Sequence, residues 1–152
     1  AQQLRELILA NRNDPNYGVQ PLQALAELDP HRSGYQDQLA RLAQRYPDAL
    51  LYDNLVVLWA TAIPDRAQRA AKLLACIQRF PTGDALPEAM FELADLEVQA
   101  FGSGDEARRN AGIARMREIA ARFGQTCWGK RAAERLRILE PKQGSTTRAV
   151  SP

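Results

Sequence analysis

The sequence predicts an all-α protein, and three observations carry that prediction. Alanine, leucine and arginine dominate, with 25, 19 and 17 copies among 152 residues, while valine, isoleucine, threonine, tyrosine and phenylalanine are sparse. That balance favours helix over strand. Apolar residues recur at i, i+3, i+4 and i+7, the spacing of one helical face. Proline and glycine punctuate the chain into short pieces, and alternating apolar–polar strand patterns are nearly absent.

Each element has a sequence reason. Leu4 to Ala10 is a first helical piece, ended by Asn13-Asp14-Pro15. Pro21 to Leu28 is a short helix with proline in its first turn. Asp29-Pro30-His31 breaks it. Tyr35 to Tyr46 is amphipathic through Leu39, Leu42, Ala43 and Tyr46, and Pro47 stops it. Ala49 to Ile63 carries Leu51, Leu55, Val56, Leu58 and Trp59. It is the expected most buried helix. Pro64-Asp65 opens the next, which runs to Phe80 with Ala70, Leu73, Leu74 and Ile77 facing inward. Ala85 to Phe101 follows the turn Pro81 to Asp84, with Leu86, Met90, Leu93 and Leu96 or Glu97 on successive turns. Asp105 is an N-cap for a helix reaching Phe123. Gly112 costs that helix about 1 kcal/mol relative to alanine, and Gly124 stands where a C-cap glycine belongs. Thr126 to Leu139 is the last helix, stopped by Pro141. Residues 1–140 thus form one domain. Residues 141–152 form an extended polar tail, expected to lie along the chain's own groove or another subunit.

Several function classes are excluded at this level. No run approaches the ~20 apolar residues of a membrane span. The charge balance, 20 basic against 18 acidic groups, gives no nucleic-acid footprint. His31 is the single histidine, and Cys76 and Cys127 fit no Cys/His ligand spacing, so neither metal nor cofactor is expected. No nucleophile, oxyanion donor or glycine-rich phosphate cradle accompanies the carboxylates, so no enzyme activity is expected.

Three segments superimpose. They are Leu39 to Pro47, Leu73 to Pro81 and Met116 to Gly124, each an apolar helix end closing on arginine, an aromatic, then proline or glycine. Tyr46 and Phe80 are 34 residues apart, and Phe80 and Phe123 are 43 apart. Leu4 to Asn13 is a fainter fourth copy. Helix pairs at such a period bury their apolar faces by stacking. The 34-residue period with Pro47 and Pro81 after the second helix resembles the tetratricopeptide repeat. So do Tyr52, Leu55, Val56 and Trp59, and Met90, Leu93 and Ala94. Val56 stands where that family places a small residue, and no aromatic follows Ala94 at the fourth position. The resemblance covers about residues 35–139. It implies an α-solenoid of about three to four degenerate repeats. The pattern over 79–94 is similar to the divergent repeats of bacterial envelope proteins, namely the outer-membrane assembly lipoprotein and the periplasmic protein of the Tol–Pal system.

Two surfaces carry the functional expectation. Glu88, Glu92, Asp95 and Gln99 share one helical face, within a stretch from Asp84 to Phe101 that holds five acids and no base. They read either as an acidic strip for a basic partner, or as a solvated face neutralised by Arg115, Arg117 or Arg122 of the next helix. The second surface lies in 105–140, which holds nine basic and five acidic residues. Arg131 and Arg135 read there as a docking face for an acidic partner, RNA being disfavoured because no aromatic stacking platform accompanies the arginines, or as members of helical ion pairs such as Glu134 with Arg131 and Arg137. Trp128 is a packing residue or an interface anchor. Cys76 occupies a buried small slot and Cys127 opens a helix well away from it, so both are expected free.

The expected function is a non-catalytic interaction or scaffold module, a subunit of a multi-protein complex that reaches any membrane through its partner. The alternative is a structural accessory subunit of a larger bacterial envelope complex, held by its termini and tail. The start Ala1-Gln2-Gln3, without methionine, is what cleavage after a small residue or methionine removal leaves. Arginine in place of lysine points to a GC-rich bacterial source. The periplasm or cell envelope is the expected compartment, with the cytoplasm as alternative.

Overall fold

The computed structural model describes residues 34–45, 47, 52–99 and 105–140. The expected helices over 4–10 and 21–28, the turn at His31 and the tail over 141–152 lie outside them. The described residues form six α-helices and no strand: α1 (Tyr35–Arg45), α2 (Tyr52–Thr61), α3 (Arg66–Arg79), α4 (Leu86–Gln99), α5 (Glu106–Arg122) and α6 (Cys127–Leu139).

The ends of these helices follow local chemistry. The Asp65 side chain accepts a hydrogen bond from the Gln68 N–H at 2.8 Å, and Asp105 does the same for Arg108 at 2.9 Å. The Thr126 hydroxyl accepts from the Gly129 N–H at 3.1 Å. Each thereby satisfies an N–H that the first helical turn leaves without a partner. Gly34 precedes α1 with φ of 78°, the left-handed conformation that glycine adopts at no steric cost. Gly124 follows the C-cap Phe123, but positive φ is confined to Gly34 among the described residues. The expected left-handed glycine cap is therefore absent. Instead α5 closes through the Phe123 N–H on the Ile119 carbonyl, and Thr126 N–H on the Phe123 carbonyl.

Each helix packs on the next along the chain, and α4 reaches α2 and α6 as well as α3 and α5. The apolar core is correspondingly segmented. Leu39, Ala43 and Leu55 bury one cluster between α1 and α2. Val57, Leu73, Cys76, Ala89 and Leu93 belong to a second, between α2, α3 and α4. Met90, Ala94, Met116, Ile119 and Ala132 belong to a third, between α4, α5 and α6. Tyr52 packs against the first two clusters and Ile77 against the last two. Small residues sit at these contacts. Ala43 and Ala94 are buried, and Ala70 and Ala120 pack against clusters from their margins.

Three expectations about burial change. Leu74 is 42% exposed while Cys76 is buried, because the inward face of α3 runs through Leu73, Cys76 and Ile77. The segment expected to be most buried shares that place: α2 buries five of its ten residues and α4 seven of its fourteen. Gly112 is required by packing. A Cβ there would stand 2.8 Å from the Ala94 carbonyl oxygen and 2.9 Å from side-chain atoms of Glu97 and Val98, so α4 and α5 cross in near-backbone contact at this point.

Among the described residues Asp53 is the buried charged residue of the core, 7% exposed. Its Oδ2 accepts a hydrogen bond from the Ala85 N–H at 3.3 Å, so a side chain of α2 caps the entry to α4. Gly83 leaves it room, since a Cβ there would lie 2.2 Å from Oδ2. Arg79 covers the same corner, its guanidinium 5.0 Å from the Tyr52 ring and 5.1 Å from the Phe80 ring.

Candidate functional site

The seven residues singled out in the sequence come from two helices that touch, α4 and α6. Asp95 and Arg135 meet across that contact at 3.1 Å, with side chains about one-third exposed. Arg131 stacks its guanidinium 4.8 Å from the Trp128 ring. Trp128 in turn packs on Phe91 of α4, ring centroids 5.3 Å apart at 43°. Gln99 donates to Asp95 and accepts from Arg66 of α3 at 2.8 Å. Glu88 and Glu92 lie one turn apart on the same face, half-buried.

The neutralising arginines differ from those expected on the next helix. Arg115 turns to Glu97, on another face of α4, through two bonds of 3.2 Å. Arg117 pairs with Glu140 and Arg122 with Glu118. Asp95 of the strip is answered by Arg135 of α6, the helix after next, and Gln99 by Arg66 of α3, the helix before. Glu134 pairs with Arg137 at 2.9 Å, and the described partner of Arg131 is an aromatic ring.

Burial pushes the Glu88 carboxyl up to about 6, reinforced by the neighbouring Glu92 charge and opposed by Arg131. Glu92 shifts upward for the same first reason, with Asp95 adding to it and Arg131 and Arg69 opposing. Arg69 is held in place by donating twice to the Ile63 carbonyl, at 2.9 and 2.7 Å. The surface is therefore acidic in its centre, with guanidinium groups on both flanks and an aromatic pair at one end. Sequence spacing missed Phe91, Arg66 and Arg69. Phe91 stands one residue off the acidic spacing, and its ring contact spans α4 to α6, which no local period encodes.

Among the described residues no group of three or more His, Cys, Asp or Glu side chains is disposed to hold a metal ion. No described helix is long and apolar enough to cross a membrane. Compared with protein-family models, curated proteins and solved structures, the chain matches none.

Proposed function

We propose that this chain is a non-catalytic protein-interaction module of tetratricopeptide-like type, stacking its helix pairs as a solenoid within a larger bacterial envelope assembly. The observation that carries the reading is the α4–α6 surface. Seven residues chosen on sequence grounds converge there from two helices, and half-buried carboxylates stand beside an aromatic pair. Such a surface offers charge for steering and rigid rings for anchoring, the two ingredients of a protein interface. The repeated closing of α3 and α5 supports the repeat. Phe80 and Phe123 each donate their N–H four residues back, to Cys76 and Ile119. Each also stacks under the arginine that precedes it, at 5.1 and 5.0 Å.

The test is affinity purification of the tagged chain from its native source, comparing the natural sequence with Glu92→Arg and Trp128→Ala. A defined set of proteins retained by the natural chain and lost from both variants is the expected result. A chain recovered alone and monomeric overturns the proposal.

A further inference from the structure

A second surface, on another side of α4, has a different chemistry. A groove of about 740 Å3 opens between α3 and α5 with α4 as its floor. Ala67, Ala70, Ala71 and Leu74 of α3 form one wall, and Leu93 and Leu96 of α4 the base. Leu74 is one of two large apolar side chains exposed among the described residues. Burying such a side chain is worth roughly 1.5–3 kcal/mol, so an occupant that covers it has a reason to bind. The wall from Arg66 to Leu74 rises roughly 12 Å at 1.5 Å per residue, about two helical turns of a guest.

Charge selects the guest. The groove is lined by Arg66, Arg108 and Arg115 against one carboxylate, Glu97. Arg115 spends its charge on Glu97, while Arg66 bonds the neutral Gln99. Arg66 at the start of α3 bonds Gln99 at the end of α4, and Arg108 near the start of α5 lines the same groove. Arg66 and Arg108 thus present two guanidinium groups to the groove, beside the apolar trough of Ala67, Ala70, Ala71, Leu74, Leu93 and Leu96. Residues 141–152 of this chain carry Lys142 and Arg148 and no acid, so their charge opposes those guanidinium groups. The acidic strip of a second copy, Glu88, Glu92, Asp95 and Gln99, brings no aliphatic side chain for the trough.

We infer that the α3–α4–α5 groove docks a short acidic, amphipathic segment of another protein, its carboxylates on Arg66 and Arg108 and a large apolar side chain beside Leu74. The inference rests on the reading of the chain as an interaction module and uses a groove that adjoins the α4–α6 face at Arg66 and Gln99 but holds none of Glu88, Glu92, Asp95, Trp128, Arg131 or Arg135.

The experiment selects from a displayed library of random short peptides against the whole chain. The enriched sequences are synthesised, and their affinities measured by fluorescence anisotropy. Expected is enrichment of Asp or Glu together with Leu, Ile, Phe or Trp. Expected also is a loss of about tenfold in affinity for the double variant Arg66→Glu and Arg108→Glu, rim charges whose reversal opposes an acidic guest. Leu74→Asp should weaken binding comparably, and all three substituted side chains are exposed, with far-UV circular dichroism confirming the fold. Glu92→Arg should leave these affinities unchanged, so that failure here and failure of the α4–α6 proposal are separate results. Enrichment of basic or wholly polar peptides, no enrichment at all, or undiminished binding to the groove variants overturns the inference. So does a dimer in sedimentation analysis that Leu74→Asp disperses, which gives the groove to a second copy instead.

Discussion

At the scale of single residues, Asp53 concentrates the most consequence in one side chain. It is a carboxylate inside the second core cluster's margin, and its bond to the Ala85 N–H joins α2 to the entrance of α4. Replacing it with alanine leaves that N–H buried without a partner, at about 1–3 kcal/mol. Asp53→Ala should therefore lower the denaturant midpoint by that equivalent, and Asp53→Asn, which keeps an acceptor oxygen, should lose less. The two thiols separate by environment. Burial first, then the Asp53 charge, pushes the Cys76 thiol up to about 11, against the opposing Arg79 and Lys72. Cys127 is exposed. A thiol reagent near neutral pH should titrate one cysteine in the folded protein and the second only in denaturant, because the thiolate is the reactive form. Glu88 gives a pH signature. Its folded value is raised to about 6 from 4.5, so the ionised carboxylate is disfavoured by folding and the cost is present above that value. Stability from this group rises as pH falls from about 6 toward 4.5. Glu88→Gln should raise the melting temperature at pH 7, and the gain should fade by pH 4.5.

At the scale of elements, helix existence and one cap were legible in the sequence, while the pairing of faces was not. Asp105 was legible as an N-cap and makes that side-chain bond, while Asp65 and Thr126, read only as helix openings, make the same bond. The Arg79-Phe80 and Arg122-Phe123 pairs announced a recurring helix end, and both close alike. What stayed hidden depends on contacts between elements. The exposure of Leu74 could not be read from α3 alone, since Leu73 and Leu74 both suit an inward face and only the positions of α2 and α4 choose between them. The answer to Asp95 came from Arg135 of α6, a contact between helices two apart in the chain that no spacing within α4 encodes. Gly112 shows the same limit: propensity counts it as a loss, whereas the α4–α5 crossing leaves no room for a Cβ. Gly112→Ala should therefore destabilise the protein despite the higher helix propensity of alanine. Overpacking of a tight contact typically costs about 1–3 kcal/mol, which outweighs about 1 kcal/mol of propensity. Thermal melting measures the sign, and a rise in melting temperature would mean the crossing can open without strain.

At the scale of the whole molecule, the segmented core decides how the protein opens. Three clusters follow one another along the chain, bridged by Tyr52 and Ile77, so most stabilising contacts are between sequence neighbours. In such an arrangement stability is carried by elements and their interfaces and is not shared evenly. Helix α4 supplies buried residues to two clusters and touches four other helices. Helix α6 buries Gly129 and Ala132, and it stands against α4 and α5. Opening α6 therefore sacrifices part of the third cluster, whereas opening α4 dismantles both the second and the third. Native-state hydrogen exchange should find the amides of α4 the slowest and those of α6 faster. Substituting Met116, fully buried in the third cluster, with alanine should cost about 2–5 kcal/mol and accelerate α6 more than α2. Equal acceleration of α2 and α6 would instead make the described helices one cooperative unit, and the chain would then transmit a binding event at the α3–α4–α5 groove to the α4–α6 face as a single body.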